Sequence, residues 1–498
     1  MNLVAVPSLA PSVGWSIAIG LGILWVLLGM WWGRRARDAE GFMLAGRKVG
    51  LSLGAATSMA TWVTSNTTML APVFALTLGV WGMLAYSTAS FGLLLFALFA
   101  GRIRRILPRG VTAGDFFRLR YGRAGHGFFL AITMIYSMAW LVSMAIAGGD
   151  LLEALAGIPY RQGMSLILAV CVLYTVFGGL YAVIGTDFVQ SLVILVGIVV
   201  IGSMVAVRID FAEAYAHIAE HQPSLLHVVM PAALLAVFNN LLFGFGEVFH
   251  NNVWWSRAFA MRREVAPRAF FLAGLLWFPI PVAAGFIALA AGPLGVNIPE
   301  INQTGPIVAS AVMAEAGLGA LAGVLILVVL FCSMASSIDS LLAATSDLLI
   351  RDLRGERLAE EGGDPGFRRT AVLAIFGVGL AAWLLALPHW PIVNALFISG
   401  PLVGSLIWPV VAGLFWRGVN RRLVLAGIVA GSALGLAAYF LLGWYTAALV
   451  GTGVSMLFTV AAGRFGAKPF EPAAAAAAAA PKTEAPPSDG RTHSQDAP

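Results

Sequence analysis

Four serines in the middle of an apolar stretch have the spacing of one helix face. Ser333, Ser336, Ser337 and Ser340 fall at positions i, i+3, i+4 and i+7, so on a helix their hydroxyls form one polar stripe. The surrounding segment 321–350 is mostly apolar, which places the stripe deep in a bilayer. Hydroxyl and freed carbonyl oxygens at that depth suit a small dehydrated cation.

Asp339 stands beside this stripe, and a carboxylate inside a membrane span predicts a functional site. The alternative is helix packing, since small residues let helices approach closely and a serine hydroxyl can bond its own backbone. Taken alone, the stripe favours packing over ion binding. The other polar segments of the chain reverse that preference.

The composition is that of a polytopic membrane protein. Of the 498 residues, 59% are hydrophobic and only 11% are charged, whereas soluble proteins carry about 25% charged residues. Residues 1–11 lack a basic segment, so we expect no cleavable signal peptide. Cys171 and Cys332 lie in apolar spans and the seven histidines are scattered, which argues against a disulfide framework and a metal knuckle.

Apolar segments and the loops between them predict an all-α membrane protein with about thirteen transmembrane helices. The predicted spans are 12–33, 50–77, 80–100, 126–148, 162–184, 187–207, 226–249, 269–292, 317–349, 370–387, 391–415, 423–443 and 445–463. Of the 30 Lys and Arg residues, 28 fall on one side of this arrangement, and only Arg161 and Arg208 fall on the other. The positive-inside rule then predicts an outside N-terminus and a cytoplasmic C-terminus in the cell inner (plasma) membrane. The net charge of +6 is explained by topology and indicates no nucleic-acid partner.

Two further spans carry polar residues that suit a membrane helix poorly. The segment 58–72 of the second span is dense in hydroxyls and amides and ends at Pro72, and the segment 238–247 of the seventh contains paired amides, two glycines and Glu247. Backbone groups in lipid must be satisfied internally, so unwound backbone at this depth is expected only where it lines a cavity. We predict a break in each span; kinked helices with amides bonded to neighbours are the alternative.

The positions of these spans indicate an inverted repeat. Each begins a set of five consecutive spans, and an odd number of spans makes the second set start from the opposite side of the membrane. Interrupted helices at equivalent positions of two inverted halves point to the substrate site of a transporter. The predicted division is 1–49 for the first helix and loop, 50–207 and 226–415 for the repeats, 423–463 for two further helices, and 467–498 for a disordered cytoplasmic tail.

Four segments together resemble the sodium:solute symporter family over approximately residues 40 to 420. The segment 174–190, YTVFGGLYAVIGTDFVQ, is similar to the family signature YT-x-x-GG-x-x-A-V-x-x-TD-x-x-Q. The other segments are Gly46-Arg47 with Gly50 to Leu53, Ser336 to Leu342 closed by Arg351-Asp352-Leu353, and the arginine-bearing Asn252 to Ala260. The resemblance implies the leucine-transporter-like inverted five-helix repeat fold and sodium as the coupling ion, with no other cofactor.

The resemblance also implies which residues hold sodium. By position, the carbonyl donors are Ala60, Val63 and Ser333, and the hydroxyl donors are Ser336 and Ser337. Sodium prefers hard oxygen ligands, which agrees with the serine stripe. A further family position implies a role for Asp187 on the route of sodium to the cytoplasm. From the residues alone, Asp187 reads as a carboxylate near the N-terminus of the sixth span, where a negative group suits the helix dipole.

The two predicted breaks supply the residues expected to bind the solute. These are Trp62, Asn66 and Thr67 from one break and Asn239, Asn240 and Phe243 from the other, with Tyr86 on the third span and Glu247 as weaker additions. Amides and hydroxyls without a buried Arg or Lys suit a small neutral or zwitterionic solute. The segments 245–258 and 272–281 resemble the urea branch of the family, so urea is the leading candidate. Proline or another amino acid, a carboxylate and a sugar are the alternatives.

Other classes of protein fit less well. An enzyme would need an acid–base pair, a nucleophile or a metal cluster, and none occurs at useful spacing. A solute sensor would need a signalling module, for which the tail after Gly466 is too short. Proton coupling through Glu247 or Asp339 stays open. The expected partners are the solute and the lipid bilayer, with no obligatory protein partner.

Overall fold

The computed structural model describes residues 9–36, 38–208, 210–227, 229–353, 365–466 and 468–469, and these are almost entirely helical. The helices are α1 Pro11–Gly33, α2 Ala39–Leu44, α3 Leu51–Trp62, α4 Ser65–Ser87, α5 Ser90–Ile106, α6 Ala113–Ala156, α7 Tyr160–Arg208, α8 Phe211–His221, α9 Pro231–His250, α10 Asn252–Ala260, α11 Ala266–Trp277, α12 Pro279–Ala288, α13 Thr304–Met313, α14 Ala320–Leu348, α15 Pro365–Ala386, α16 Ile392–Phe397, α17 Gly400–Ser405, α18 Ile407–Phe415, α19 Arg421–Leu442 and α20 Trp444–Arg464. Single turns of other helix types are Ala45–Arg47, Pro223–Leu226, Ile301–Gln303, Ala314–Leu318 and Leu349–Leu353. Two short strands, β1 Gly418–Val419 and β2 Lys468–Pro469, pair antiparallel.

Eleven helical stretches of the described chain are long and apolar enough to cross a membrane. Two of them, Asn66–Ile106 and Tyr160–Met204, contain 41 and 45 residues. At 1.5 Å per residue each is about twice the roughly 30 Å of a bilayer core. Each is bent at a glycine with positive φ, at Gly79 (65°) and Gly179 (52°). The polytopic all-α architecture is confirmed, and the count of thirteen stays a prediction.

The predicted break in the second span is confirmed between α3 and α4. Helix α3 ends at Trp62, Val63 and Thr64 have non-helical ψ values of 79° and 166°, and α4 starts at Ser65. Thr64 caps the new helix by accepting from the amide of Thr67 at 3.1 Å, and the Thr67 hydroxyl accepts from the Thr64 amide at 3.2 Å. The polar run therefore serves as a helix cap inside the membrane segment.

The predicted break at 238–247 is wrong, because α9 continues through this segment to His250 and the chain breaks at Asn251 instead. Asn239 Oδ1 accepts from the amide of Ala448 at 2.8 Å, and Asn240 Nδ2 donates to the carbonyl of Ala85 at 2.7 Å. Both amides satisfy backbone groups of neighbouring helices, which a continuous helix can do from its surface. Glycine in this segment permits close packing, with Gly244 against Ala89.

Replacing Gly244 by alanine is expected to destabilise the protein by about 1–3 kcal/mol, because the added methyl overpacks a backbone contact. A Cβ at Gly244 would lie 2.7 Å from the carbonyl oxygen of Ala89. The measurement is the thermal unfolding midpoint of the purified protein. Gly127→Ala on α6 is the matched control, since nothing lies within 4 Å of its Cβ. An equal midpoint in both variants would contradict the close α5–α9 approach.

Helix α14 lies at the centre of the molecule. Every residue from Phe331 to Leu348 is buried, and the helix packs against α7, α6, α3 and α15. A helix buried on all sides has no lipid-facing stripe, so its polar residues must be satisfied by other helices. This location brings the serine stripe against the end of α3.

The predicted domain boundaries correspond closely to helix ends but stay predictions as structural units. Helix α7 ends at Arg208, α9 starts at Pro231, and the last two helices are α19 and α20. Most of the predicted tail 467–498 lies outside the described residues. Its described part, Lys468–Pro469, forms the strand that pairs with Gly418–Val419.

Candidate functional site

The serine stripe of α14 meets the end of α3 through two hydrogen bonds. Ser336 Oγ donates to the Ala60 carbonyl at 3.0 Å, and Ser337 Oγ donates to the Thr61 carbonyl at 2.9 Å. In a continuous helix the Ala60 carbonyl would accept from the amide of Thr64. That amide instead donates to Trp62 O at 2.9 Å. The break therefore frees backbone oxygens that the serines then contact.

A third carbonyl completes the group. Ser333 O accepts from Ser336 Oγ at 3.2 Å and from Ser337 Oγ at 3.1 Å. Five oxygens thus converge between α3 and α14, and all of the residues are buried. They are the carbonyls of Ala60, Thr61 and Ser333 and the hydroxyls of Ser336 and Ser337. We call this group the oxygen cluster.

The structure brings together four of the five residues predicted to bind sodium. Among the described hydrogen bonds, none joins the Val63 carbonyl to the serines, and Thr61 contributes in its place. Val63 is fully buried, and its amide donates to Met59 O at 2.9 Å. Thr61 was missed because its carbonyl is freed by the position of the helix end, which the sequence does not locate to one residue.

The oxygen cluster has the chemistry of a small alkali-cation site. Its ligands are hard oxygens without formal charge, as expected for a cation that must also be released. For a cation to bind, both serine hydroxyls would turn their hydrogens away from the carbonyls. Each carbonyl would then exchange a hydrogen bond for a bond to the ion.

Asp187 is part of a buried ion pair next to the oxygen cluster. Arg257 of α10 donates from Nη2 to Asp187 Oδ2 at 3.1 Å, and both side chains are inaccessible to solvent. Thr57 Oγ1 donates to the same oxygen at 2.5 Å. The other acceptors of the guanidinium are Thr57 Oγ1 (3.1 Å), Val253 O (3.2 Å), Thr61 Oγ1 (2.7 Å) and Ser340 Oγ (2.6 Å). A buried charge requires such pairing.

The interpretation of Asp187 as a helix-start carboxylate is wrong. The bend of α7 lies at Gly179, with φ 52° and ψ −141°, so Asp187 is two turns inside the following helical segment. Its carboxylate is neutralised by Arg257 rather than by a helix dipole. The Arg257 partner was missed because the contact joins residues 70 positions apart.

The ion pair is connected to the oxygen cluster through the hydroxyls of Thr61 on α3 and Ser340 on α14. Ser340 Oγ donates to Ser336 O at 2.7 Å and also lies 3.0 Å from Thr61 Oγ1. A displacement of Arg257 would therefore alter the side chains directly beside the cluster. Asp339 points to another helix, where Thr186 Oγ1 donates to its Oδ2 at 3.4 Å.

A small cavity of about 20 Å³ lies beside the break between α3 and α4. Its lining residues are Trp62, Thr64, Asn66, Tyr86, Ala89, Tyr136, Trp140, Asn240, Phe243, Glu247, Leu396 and Phe397. This volume has room for about one water molecule, so the walls would have to move apart for a solute to bind. The wall combines aromatic rings with a few polar groups, the usual character of a solute site.

Five of the seven residues predicted to bind solute line this cavity, and Glu247 does as well. The structure does not bring Thr67 and Asn239 to its wall. The Thr67 hydroxyl donates to Trp62 O at 3.1 Å, and Asn239 accepts from Ala448 of α20. Sequence reasoning missed Tyr136 and Trp140, an aromatic pair at i and i+4 in the fourth predicted span. Their spacing alone does not distinguish a cavity wall from ordinary packing.

Fold and site together have the arrangement of a multi-pass membrane transporter. A broken membrane helix faces a buried polar helix, and a small cavity adjoins the break. The family described as "Sodium:solute symporter family" matches residues 42–431 of the chain. The chain belongs to this family.

Relatives with curated names include transporters of two solutes. The chain is 26% identical to the Urea-proton symporter DUR3 of Oryza sativa subsp. japonica, over 90% of this chain and 67% of that protein. It is 24% identical to the Urea active transporter of Saccharomyces cerevisiae, covering 86% and 63%. It is also 24% identical to Sodium/proline symporter 2 of Staphylococcus saprophyticus, covering 78% and 79%. The chain thus spans about two thirds of the length of these urea transporters.

Solved structures confirm the predicted leucine-transporter-like fold. A Na+-coupled sialic acid symporter in a substrate-bound outward-open state superposes with a TM-score of 0.76 at 19% identity, over 92% of this chain and 99% of that one. A nucleobase-cation-symport-1 family transporter in a closed conformation superposes with a TM-score of 0.53 at 16% identity, over 85% and 94%.

Proposed function

We propose that this protein is a secondary active symporter that uses sodium to import a small polar solute, with urea as the leading candidate. The observation that carries the proposal is the oxygen cluster, where carbonyls at the end of α3 meet the hydroxyls of Ser336 and Ser337. Relatives named as urea transporters support the choice of solute. The chain would lie in the plasma membrane with its C-terminus in the cytoplasm.

In the proposed cycle, sodium enters from outside and joins α3 to α14 through the oxygen cluster. The bound ion would fix the conformation of the break between α3 and α4 beside the solute cavity. The affinity for solute would therefore be higher with sodium bound. Val63 stays a predicted ligand, which would require its carbonyl to turn toward the ion. The membrane potential would supply about 2.3 kcal/mol per sodium ion at 100 mV.

Asp187 is proposed to receive sodium on its way to the cytoplasm. The carboxylate lies next to a residue of the cluster, since Thr61, whose carbonyl belongs to the cluster, has its Oγ1 3.5 Å from Asp187 Oδ2. Arg257 holds this carboxylate at 3.1 Å. For sodium to reach Asp187, the carboxylate would have to exchange Arg257 for the ion. Separation of Arg257 from Asp187 would therefore control the release of sodium.

Proton coupling is the second candidate for the driving ion. The rice relative is named a urea-proton symporter, and this chain buries two carboxylates, Asp339 and Glu247, near the proposed path. Intramembrane carboxylates carry protons in many transporters. Under this alternative, the oxygen cluster would serve helix packing.

Uptake of radiolabelled urea into proteoliposomes tests the coupling ion and the solute together. An inward sodium gradient is expected to stimulate uptake, while an equal choline gradient is not. Proline, acetate and glucose are measured in parallel. Stimulation of one of these instead of urea would retain the ion and replace the solute. A response to an inward proton gradient without a sodium response would reject sodium coupling.

A further inference from the structure

The two asparagines that line the solute cavity have their amide nitrogens engaged in hydrogen bonds within the protein. Asn66 Nδ2 donates to Ser143 Oγ at 2.9 Å, and Asn240 Nδ2 donates to Ala85 O at 2.7 Å. Asn66 Oδ1 is buried and has no hydrogen-bond partner among the described residues. A buried polar atom without a partner indicates a missing donor. Asn66 lines the cavity, so this donor is expected from the solute.

Glu247 adds a carboxylate to the same wall. It is 4% exposed, and its Oε1 accepts from the indole nitrogen of Trp254 at 3.3 Å. Trp254 is itself held against Trp62, with ring centroids 4.7 Å apart. The carboxylate is therefore positioned by a fixed aromatic pair. No lysine or arginine occurs among the lining residues, so no cation offsets its charge at the wall.

The wall also carries hydrogen-bond donors, namely the indole nitrogens of Trp62 and Trp140 and the hydroxyls of two tyrosines. Tyr86 and Tyr136 line the cavity, and a phenol can donate one hydrogen bond to a carbonyl oxygen. The wall thus offers donors for a carbonyl oxygen, together with the acceptor oxygens of Asn66 and Glu247. A carboxylate solute would find no cation at this wall and would meet acceptor-to-acceptor repulsion at Asn66. A solute with several N–H groups matches the wall, and charge-assisted bonds to a carboxylate are roughly twice as strong as neutral ones.

We infer that this cavity selects solutes that carry two or more N–H groups on one carbon, namely ureas and amidinium or guanidinium ions, and excludes carboxylates. Glu247 is the specificity-determining residue and accepts paired N–H bonds, while Asn66 Oδ1 accepts a further one. In a urea, the carbonyl oxygen would take a tyrosine hydroxyl. This inference rests on the proposed function only in placing the solute in this cavity, and it is independent of the coupling ion.

Thermal unfolding of the purified full-length protein measures binding without transport. A solute that binds the native state raises the midpoint. Urea, methylurea, guanidinium, acetate and proline are compared at equal millimolar concentrations in sodium chloride and in choline chloride. The N–H-rich solutes are expected to raise the midpoint, and acetate and proline are not. If acetate or proline raises the unfolding midpoint of the unmodified protein as much as the N–H-rich solutes do, the inference is wrong.

A substitution tests the role of the carboxylate. In Glu247→Gln, the guanidinium concentration needed for a given midpoint shift is expected to rise at least tenfold. The urea concentration needed for the same midpoint shift is expected to rise less, because the introduced glutamine amide retains one acceptor oxygen. Glu213→Gln is the matched control, since Glu213 is exposed on α8. Unchanged guanidinium binding in Glu247→Gln overturns the assignment of Glu247.

The two proposals fail in different ways. If sodium-stimulated urea uptake is absent but the N–H-rich solutes alone raise the midpoint, the proposed coupling is wrong and the selectivity stands. If uptake is sodium-driven but acetate or proline competes as well as guanidinium, the coupling stands and the selectivity is wrong. Competition in the uptake assay and thermal shift in detergent thus report on separate claims.

Discussion

Replacing Ser336 and Ser337 together by alanine is expected to raise the sodium concentration for half-maximal solute uptake by about 100-fold, at about tenfold or 1.4 kcal/mol for each lost ligand. Both hydroxyls belong to the oxygen cluster, at 3.0 and 2.9 Å from carbonyls of α3. An alanine has no oxygen to offer the ion. The measurement is solute uptake into proteoliposomes over a range of external sodium concentrations.

Two further variants separate ion binding from damage to α14. Ser346→Ala removes a buried hydroxyl of the same helix that, among the described residues, bonds only its own backbone, at 2.8 Å from Ala343 O; the variant is expected to leave the sodium requirement unchanged. Ser337→Thr keeps a hydroxyl and is expected to retain most of the affinity. If the double alanine variant keeps the sodium dependence of the unmodified protein, the cluster is a packing contact.

Replacing Arg257 by leucine is expected to destabilise the protein by about 3–5 kcal/mol, because it leaves the buried Asp187 carboxylate without its cation. The guanidinium bonds side chains of α3, α7 and α14, so its loss also releases hydroxyls on α3 and α14. The measurement is the thermal unfolding midpoint of the purified protein, together with its yield from membranes.

A double-mutant comparison identifies the ion pair as the cause. Asp187→Asn alone also breaks the pair, whereas Asp187→Asn combined with Arg257→Leu removes both charges. The combined variant is expected to lose clearly less stability than the two single losses added, since neither charge is left buried alone. Strict additivity would show that the two side chains do not interact. Arg351→Leu, whose ion pair to Asp115 is longer at 3.8 Å and partly exposed, is the control and is expected to cost little.

The amino-acid sequence alone was sufficient for the class of protein, the all-α architecture and the presence of a break within residues 58–72. Each of these rests on a local signal. The low content of charged residues is not that of a soluble globular protein. The polar run from Thr64 to Thr68 does not suit a continuous helix embedded in lipid. The serine stripe is likewise local, because the period of one helix places its hydroxyls on one face wherever that helix lies.

The same local reasoning failed where a polar residue serves a neighbouring element. The paired amides of Asn239 and Asn240 led to the prediction of a helix break, but both side chains bond backbone groups of α20 and α4 from a continuous helix. Glycine has the same ambiguity. The chain bends at Gly178-Gly179 in α7, whereas Gly244 permits close packing of a continuous helix. The sequence shows which residue is unusual, and the neighbour determines what it does.

The composition of the site was decided by tertiary structure. Arg257 reaches Asp187 across 70 positions, and the cavity takes Tyr136 and Trp140 from α6, which carried no polar signal. Only the packed helices show that Thr61 rather than Val63 meets Ser337, and that Asn66 keeps an unpartnered oxygen. The physical reason is that periodicity determines the face of a helix on which a side chain lies. Which atoms of other helices oppose that face depends on the packing of all of them.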